Sequence, residues 1–426
     1  MATIVLLGTL DTKTPEYTYI RTHLLAAGHT VLLIDTGILG QPGETGEAGE
    51  VGEVGGAGGL RPDVSAVEVA AAAGADLAVL AAARDRGAAV AAMAAGAAEV
   101  VRRLHREGRC DGALALGGTG GTSIAAQAFR TLPLGVPKVI VSTAASGDTR
   151  AYVAESDLVL FPSVTDIAGI NRLSARILSN AAAAMIGMVT APAVAVPTDR
   201  PLVAASMFGV TTPCVTAARE QLEKSGYEVL VFHMTGVGGR TLEELTAAGW
   251  LAGILDATTT ELADELVGGV FSAGPDRLTA AARYGVPQVV SVGALDMVNF
   301  GPRATVPDQF ADRNLYVHNA GVTLMRTTPQ ECAELGQRLA TRLNASTAPA
   351  ALFLPLRGIS AIAVPGGPFH DPAADAALFE AIRTTLDPSR VELIELDLDI
   401  NAPAFAAAMA TKLDTFLANS NDRGER

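Results

Sequence analysis

The residues best suited to chemistry form a glycine-rich stretch, GGTGGTS, at positions 117–123. The stretch follows an apolar run and precedes an alanine-rich helical pattern, which predicts a loop between a strand and a helix. Glycines let the backbone approach a ligand closely, and the N–H groups at a helix N-terminus attract anions. We therefore predict that a phosphate or carboxylate binds there. The predicted contacts are Gly117, Gly118, Thr119, Gly120, Gly121 and Thr122.

This loop also has a simpler interpretation. It matches neither GxGxxG nor the lysine-containing GxxxxGK[ST] pattern, so the motif alone is not diagnostic of a nucleotide. A glycine-rich turn whose helix is capped by Thr122 accounts for the same residues. Both interpretations stay open from the sequence.

A second polar turn, GTLDTK at residues 8–13, follows the first predicted strand. Gly8 and Thr9 begin the turn, and Thr9 offers a hydroxyl. Asp11 offers a carboxylate to a metal ion or a ribose, and Lys13 offers a cation to phosphate. Asp35 ends the next predicted strand, where Rossmann proteins often place a ribose-binding acid. In the alternative interpretation, Asp11 or Thr12 caps a helix and Lys13 is a solvated charge.

Two further residues are candidates for contact with the same ligand. Ser142 follows another predicted strand and offers a hydroxyl that would close over the ligand. Arg172 shares one predicted helix face with Arg176 and Asn180, because their spacing is i, i+4, i+8. We expect either phosphate contact or, as is commoner, a solvated basic stripe.

In the second half of the chain, His233 ends a predicted strand beside a glycine-rich turn. That position suits acid–base chemistry or phosphate contact, although a structural histidine is an equal alternative. The turn adds possible anion contacts from Gly236, Gly238, Gly239 and Arg240.

Two carboxylates, Asp256 and Asp296, end later strands and complete the candidate catalytic set. With His233 and His318 they would form an acid–base or metal cluster, but their wide separation offers no ligand spacing to test. Glu261 fits a capping box with Thr258 and needs no catalytic role.

The elements that must position these residues follow a regular order. Runs of Val, Ile and Leu alternate with alanine-rich helical patterns, which indicates parallel strands covered by helices. IVLLGTLDT, HTVLLIDTG, DGALALGG and GVPKVIVST are matched in order by LVAASMFGV, YEVLVFHMTG, AGILDATTT and GVPQVVSVG. We predict an α/β protein of two Rossmann-like lobes with mostly parallel sheets, residues 1–190 and 200–426, and a ligand cleft between them. The acidic glycine repeat at Gly43–Gly59 is predicted to be a mobile loop without function.

Composition bounds the classes of function. A length of 426 residues favours two domains, and a net charge of −14 opposes nucleic-acid binding. Local loop dipoles still permit an anionic small ligand. We expect a soluble, cytoplasmic protein without a membrane partner, because no apolar run approaches roughly 18–20 residues and the start lacks a basic signal region.

Cys214, just behind Pro213 at a predicted helix start, is either a thiolate nucleophile or, as we favour, a small buried thiol.

Together these motifs resemble the Tm-one-like ATP-binding family, which includes the amino-terminal region of the tomato mosaic virus resistance protein. The resemblance covers nearly the whole chain and includes GTLDTK, GGTGGTS, DIAGINRLSARILSNAA, FHMTGVGGRTLEEL and HNAGVTLMRTT. It implies two Rossmann-like lobes, binding of ATP with magnesium, and a homodimer or larger homo-oligomer. It implies no reaction. Thr14, where the family usually has glycine after DTK, is a departure from the pattern.

We therefore predict a magnesium-dependent nucleotide-binding protein with a metabolic role. One alternative is an enzyme acting on a small anionic or carbonyl metabolite in the cleft, with His233 as acid or base and Asp256 and Asp296 positioning a metal or proton. The other is a regulatory module whose lobes close on nucleotide and whose closed shape a partner recognises.

Overall fold

The computed structural model describes residues 1–38, 60–192 and 200–424. The chain divides into two compact units, Met1–Ala195 and Val196–Arg426, and each is described by itself. The segment Gly43–Gly59, predicted to be a mobile loop, lies outside the described residues. The cleft expected between the lobes stays a prediction.

The N-terminal unit is built on one parallel sheet with strand order β2-β1-β3-β4-β5. Its strands are β1 (Thr3–Gly8), β2 (Thr30–Asp35), β3 (Gly112–Gly117), β4 (Lys138–Ser142) and β5 (Val159–Pro162). Its helices are α1 (Leu10–Ala26), α2 (Ala66–Ala72), α3 (Leu77–Ala83), α4 (Arg86–Arg106), α5 (Thr119–Phe129), α6 (Arg150–Val153) and α7 (Arg172–Thr190).

Helices cover both faces of this sheet, which explains why its strands are apolar throughout. Successive side chains of a strand point to opposite faces. Val5 and Leu7 of β1 accordingly pack on the face that carries α2, α4 and α5. Ile4 and Leu6 pack on the other face, against α1 and α7.

The C-terminal unit contains a six-stranded parallel sheet, of order β14-β13-β9-β8-β6-β7, and a three-stranded antiparallel sheet, β10-β12-β11. The strands are β6 (Leu202–Met207), β7 (Glu228–His233), β8 (Gly253–Thr258), β9 (Gln288–Gly293), β10 (Met297–Phe300), β11 (Leu315–Asn319), β12 (Val322–Arg326), β13 (Ala350–Pro355) and β14 (Val391–Leu396). The helices are α8 (Thr212–Lys224), α9 (Val237–Ala247), α10 (Glu261–Val267), α11 (Ala280–Tyr284), α12 (Pro329–Leu343), α13 (Pro372–Thr385) and α14 (Pro403–Gly424). Three 3-10 turns lie at Gly209–Thr211, Arg303–Thr305 and Asp308–Phe310.

The strand order of the two parallel sheets confirms the prediction that both halves of the chain share one order of elements. The first four strands of the N-terminal unit lie in the order β2-β1-β3-β4, and their counterparts lie in the order β7-β6-β8-β9. Both parallel sheets therefore have the Rossmann-like arrangement in which the order reverses beside the first strand. The antiparallel sheet is an addition to this plan that the strand pattern did not predict.

One helix of the described residues, α7, is long and apolar enough to cross a bilayer by length and composition, and the bent pair α2 and α3 passes the same test if counted as one span. Leu178, Ala181 and Met185 of α7 pack into the core beside β1, β3 and β4. Packing against the sheet accounts for the apolar character of this face.

Close packing of α2 against α4 yields a prediction at Gly96. A β-carbon at this position would lie 1.9 Å from the carbonyl oxygen of Val69. Replacing a helical glycine by alanine ordinarily stabilises a helix by about 1 kcal/mol. We expect Gly96→Ala to destabilise the protein by about 1–3 kcal/mol instead, because the helices would have to move apart. Urea denaturation followed by circular dichroism measures the change.

The matched control is Gly187→Ala in α7, where a β-carbon would meet open space. That variant should be as stable as the wild type or more so. Equal stability of the two variants would contradict the assigned helix contact.

Candidate functional site

A cavity of about 690 Å³ lies at the carboxyl edge of the N-terminal sheet. It is lined by the turns that follow β1, β2 and β3 and by the connection between α3 and α4. With the strand order β2-β1-β3-β4-β5, the chain leaves β1 and β3 in opposite directions, which opens a crevice between these strands. The cavity therefore occupies the place where open parallel sheets bind ligands.

The predicted glycine-rich loop forms part of this cavity. Helix α5 begins at Thr119 with Gly118 as its N-cap, and the N–H groups of a first helical turn have no intrahelical acceptor. Gly118, Gly120 and Gly121 line the cavity. A β-carbon on Gly120 would make only ordinary contacts, 3.6 Å from Arg86 Nη2 and 3.8 Å from Val90.

The neighbouring residues support the loop. A β-carbon on Gly117 would lie 3.1 Å from the Cα of Gly121, so a side chain there would crowd the turn. Thr122 is fully buried, and its hydroxyl lies 2.7 Å from that of Ser142. This hydrogen bond joins the first turn of α5 to the end of β4 and holds the loop in position. Ser142 and Thr122 thus have positioning roles in the structure.

The turn after β1 meets the glycine loop at the same cavity, as the sequence predicted from the shared edge of parallel strands. Thr9, Asp11 and Lys13 all line it. Lys13 has non-helical dihedrals that kink α1, and its ammonium group donates a hydrogen bond to the carbonyl of Ile167. Lys13 therefore ties the turn to the segment that follows β5.

Asp35 is buried and does not line the cavity. Its carboxylate accepts hydrogen bonds from the N–H groups of Leu10, at 3.1 Å, and Gly37, at 2.9 Å. Burial raises the pKa of this carboxyl, although the two hydrogen bonds oppose the shift. The structure uses Asp35 to join the turns after β1 and β2, rather than placing it toward a ribose.

Gly8 makes room for a tyrosine between the central strands. A β-carbon on Gly8 would lie 1.7 Å from the hydroxyl of Tyr17. That hydroxyl lies 2.6 Å from the carbonyl of Leu7 and accepts the N–H of Leu116 at 3.0 Å. Gly8 therefore acts through packing, whereas its neighbour Thr9 faces the cavity.

Several lining residues were missed from the sequence. Arg84 and Arg86 flank Asp85, which caps α4 by accepting the N–H of Ala88 at 3.0 Å. The signal available was the pair of arginines in ARDRG, placed between two alanine-rich segments. The remaining wall includes apolar residues, namely Ile38, Leu80, Ala89, Val90, Met93 and Ile124. Arg172, by contrast, is exposed in the first turn of α7 and does not line the cavity.

In the C-terminal unit, the glycine-rich turn binds a carboxylate of the protein itself. The N–H groups of Gly236 and Gly239 donate to Glu261 Oε1 at 2.7 and 3.0 Å. A β-carbon on Gly239 would lie 1.9 Å from Glu261 Oε2. Glu261 therefore takes the place that we predicted for a ligand anion, and its predicted capping box is wrong. Arg240 donates a hydrogen bond to the carbonyl of Ser272. Gly238 packs against the backbone carbonyl of His233.

A buried arginine neutralises this carboxylate. Arg277 donates through Nε to Glu261 at 2.7 Å, and through both terminal nitrogens to Asp256 at 2.6 and 2.8 Å. Glu243 lies 3.3 Å from the same guanidinium group. Asp256 also accepts the hydroxyl of Ser206 at 2.6 Å. Asp256 is thus held in a buried ionic network.

The two units differ at equivalent positions. β3 ends at Gly117 and β8 ends at Thr258, so Gly120 and Glu261 both lie three residues beyond their strands. In the N-terminal unit that position borders a cavity. In the C-terminal unit it holds a carboxylate that is 0% exposed.

The other catalytic candidates lie in different surroundings. His233 is exposed, and its ring is 5.3 Å from that of Phe208. Asp296 is buried and accepts the hydroxyl of Ser360 at 2.8 Å. Burial raises the pKa of Asp296 to about 6, although the nearby charge of Arg326 opposes the shift.

The catalytic candidates do not form one hydrogen-bonded cluster within residues 1–38, 60–192 and 200–424. No hydrogen bond or ion pair there joins His233, Asp256 and Asp296. His318 lies exposed on β11, and the same residues contain no group of three or more acidic, histidine or cysteine side chains arranged for a metal ion. Cys214 is fully buried, which raises its pKa to about 12, so its thiol stays protonated at neutral pH.

The fold and site define a two-unit Rossmann-like α/β protein with a cavity at the strand-order reversal of its first unit. The chain belongs to the uncharacterised protein family UPF0261: the N-terminal domain of that family matches residues 2–193 and the C-terminal domain matches residues 200–417.

Relatives of the chain occur in bacteria and in a plant. A UPF0261 protein of Clostridium tetani is 49% identical over 410 residues, which are 96% of this chain and 98% of that protein. UPF0261 protein RA0729 of Rhizobium meliloti is 46% identical, with 96% and 97% of the two chains covered. The ToMV resistance protein Tm-1(GCR237) of Solanum lycopersicum is 45% identical over 338 residues, which are 78% of this chain and 44% of that protein.

We expect the protein to lose much of its stability when Arg277 is removed from the buried ionic network. Arg277→Met would leave Asp256 and Glu261 buried without their counter-charge, and we expect a loss of about 3–5 kcal/mol in the free energy of unfolding. Urea denaturation measures it. Adding Asp256→Asn and Glu261→Gln to this variant should recover part of the loss.

As a control, Arg219→Met removes an exposed ion pair, with Glu223, from α8. That change should alter stability by no more than about 1 kcal/mol. Similar losses in the free energy of unfolding for Arg219→Met and Arg277→Met would show that burial does not set how much the Arg277 network contributes to stability.

The raised pKa of Asp296 predicts a pH dependence of stability. The folded state holds this proton up to about pH 6, whereas the unfolded chain releases it near the ordinary value of 3.8. Its stabilising effect is therefore complete below the unfolded pKa and is lost as pH rises through about 6. Relative to Asp296→Asn, the free energy of unfolding of the wild type should fall by on the order of 3 kcal/mol between about pH 3.5 and 7. Unfolding curves at several pH values measure the difference, and parallel profiles would contradict the assignment.

Proposed function

We propose that the cavity of the N-terminal unit binds a nucleotide, with ATP and magnesium as the expected ligand pair. The observation that carries this proposal is the convergence of the glycine loop and the Thr9–Lys13 turn on one cavity at the strand-order reversal. A cavity of about 690 Å³ lies within the size range of small-molecule sites.

Phosphate groups are supported by the donors around the loop. The first-turn N–H groups of α5 and the positive end of its dipole favour an anion. Arg84 and Arg86 add positive charge to the same cavity. These local donors counter the repulsion expected from a chain of net charge −14.

The donor set also fits magnesium bound together with phosphates. Mg²⁺ prefers oxygen ligands and commonly takes one or two carboxylates, with phosphates and water completing its shell. Asp11 and Asp166 supply carboxylates, and Thr9 and Thr12 supply hydroxyls. Such a site does not require three acidic side chains from the protein. Magnesium bound there would neutralise phosphate charge.

The base and the sugar have an apolar wall available. Ile38, Val90 and Met93 lie on it, together with Leu80 and Ile124. Apolar surface suits the faces of a nucleobase, while nearby polar groups orient the sugar. Because Asp35 is engaged with Leu10 and Gly37, we do not assign it to the ribose.

The enzyme alternative has weaker support, because His233, Asp256 and Asp296 lie in separate surroundings and Asp256 is committed to Arg277. The metabolic role, the cytoplasmic location and the homo-oligomeric state expected from the sequence stay predictions. They do not affect the test of nucleotide binding.

Gly120→Leu tests the site directly. The new side chain would enter the cavity beside Arg86 without straining the scaffold, since a β-carbon there makes only ordinary contacts. We expect binding of ATP with magnesium to weaken by more than about tenfold, because the side chain occupies the ligand's volume. Isothermal titration calorimetry measures the affinity.

Gly187→Leu is the matched control, since Gly187 is helical and a side chain there meets open space. This variant should bind ATP like the wild type. Equal affinities for Gly120→Leu and the wild type, or no nucleotide binding by either, would reject the proposed function.

A further inference from the structure

The cavity wall beside the glycine loop carries two arginines that have no ionic or hydrogen-bonding partner among the described residues. Arg84 and Arg86 lie in the short connection between α3 and α4 and line the cavity. In the described part of the chain, neither one forms a hydrogen bond or an ion pair. Arg277 and Arg326, in contrast, are buried among carboxylates.

The geometry directs one of these guanidinium groups toward the glycine loop. A β-carbon on Gly120 would lie 3.6 Å from Arg86 Nη2, so this guanidinium and the first turn of α5 border the same volume. Asp85 lies between the two arginines in sequence, but its carboxylate accepts the N–H of Ala88 at the start of α4. The helix cap therefore holds the connection in place, and within the described residues Asp85 forms no ion pair with either arginine.

Backbone preference does not explain an arginine at position 84. The residue ends α3 in the left-handed region, with φ of 52°, where glycine is the favoured residue. None of the residues of α3 is buried, so this helix contributes little to the core. Strained non-glycine residues are often found where a side chain contacts a ligand.

We propose that Arg84 and Arg86 bind the terminal phosphates of a nucleoside triphosphate and make this cavity select triphosphates over monophosphates. The inference rests on the nucleotide-binding function proposed above. The N–H groups of the glycine loop suffice for one phosphate group, whereas the outer groups of a triphosphate need further donors. Guanidinium groups match phosphate oxygens in bidentate pairs and retain their charge at all physiological pH values.

The test compares nucleotides that differ only in phosphate number. Calorimetric titrations of ATP and AMP, each with magnesium, are made on the wild type, Arg84→Gly and Arg86→Gln. We expect each variant to lose about tenfold or more in affinity for ATP and less than about twofold for AMP, because only the outer phosphates lose a charged partner. Arg84→Gly should also keep or raise the melting temperature, since glycine suits the left-handed backbone.

Arg102→Gln is the matched control, because Arg102 is an exposed arginine of α4 that pairs with Glu99 and does not line the cavity. It should leave both affinities unchanged. Equal losses for ATP and AMP, or unchanged affinities in both cavity variants, would overturn the arginine assignment while nucleotide binding stands. Failure of the wild type to bind either nucleotide would overturn the proposed function and this inference together.

Discussion

The hydroxyl of Tyr17 lies between the two central strands of the N-terminal sheet, where the pairing of β1 with β3 ends. It contacts the carbonyl of Leu7 and accepts the N–H of Leu116. These buried backbone groups lie at the end of the paired residues of β1 and β3, and the tyrosine supplies their hydrogen-bond partner. The tyrosine fits only because Gly8 has no side chain. The cavity lies beyond this point, and its two polar turns diverge from the strands that Tyr17 joins.

The two units share one strand order but differ in the charged groups that follow their strands. In the C-terminal unit, Glu261 supplies the anion for the glycine turn, and Arg277 supplies its counter-charge. Burying these groups is favourable only while each keeps its partner. In the N-terminal unit, the equivalent position is Gly120, and the nearby Arg86 borders open volume. The equivalent position is therefore filled by a buried carboxylate in one unit and borders a cavity in the other.

Several predictions followed from short-range patterns and agree with the structure. Apolar runs are local signals, and parallel strands bring their carboxyl ends to one edge, so Thr9, Asp11 and Lys13 meet the glycine loop. Other assignments needed long-range contacts that no local pattern contains. Glu261 resembled a helix cap, yet its carboxylate binds amides 22 and 25 residues away.

The sequence by itself determined the alternation of strands and helices, the repeated plan and the edge at which polar turns gather, because hydrophobic periodicity is a local property of the chain. Only the tertiary structure decided which polar groups are already paired. Asp35 joins two turns and Asp256 binds Arg277, whereas Arg84 and Arg86 line a cavity and have no hydrogen bond or ion pair within the described residues. The physical reason is that charge partners are chosen by distance and burial after packing, and residues far apart in sequence supply them.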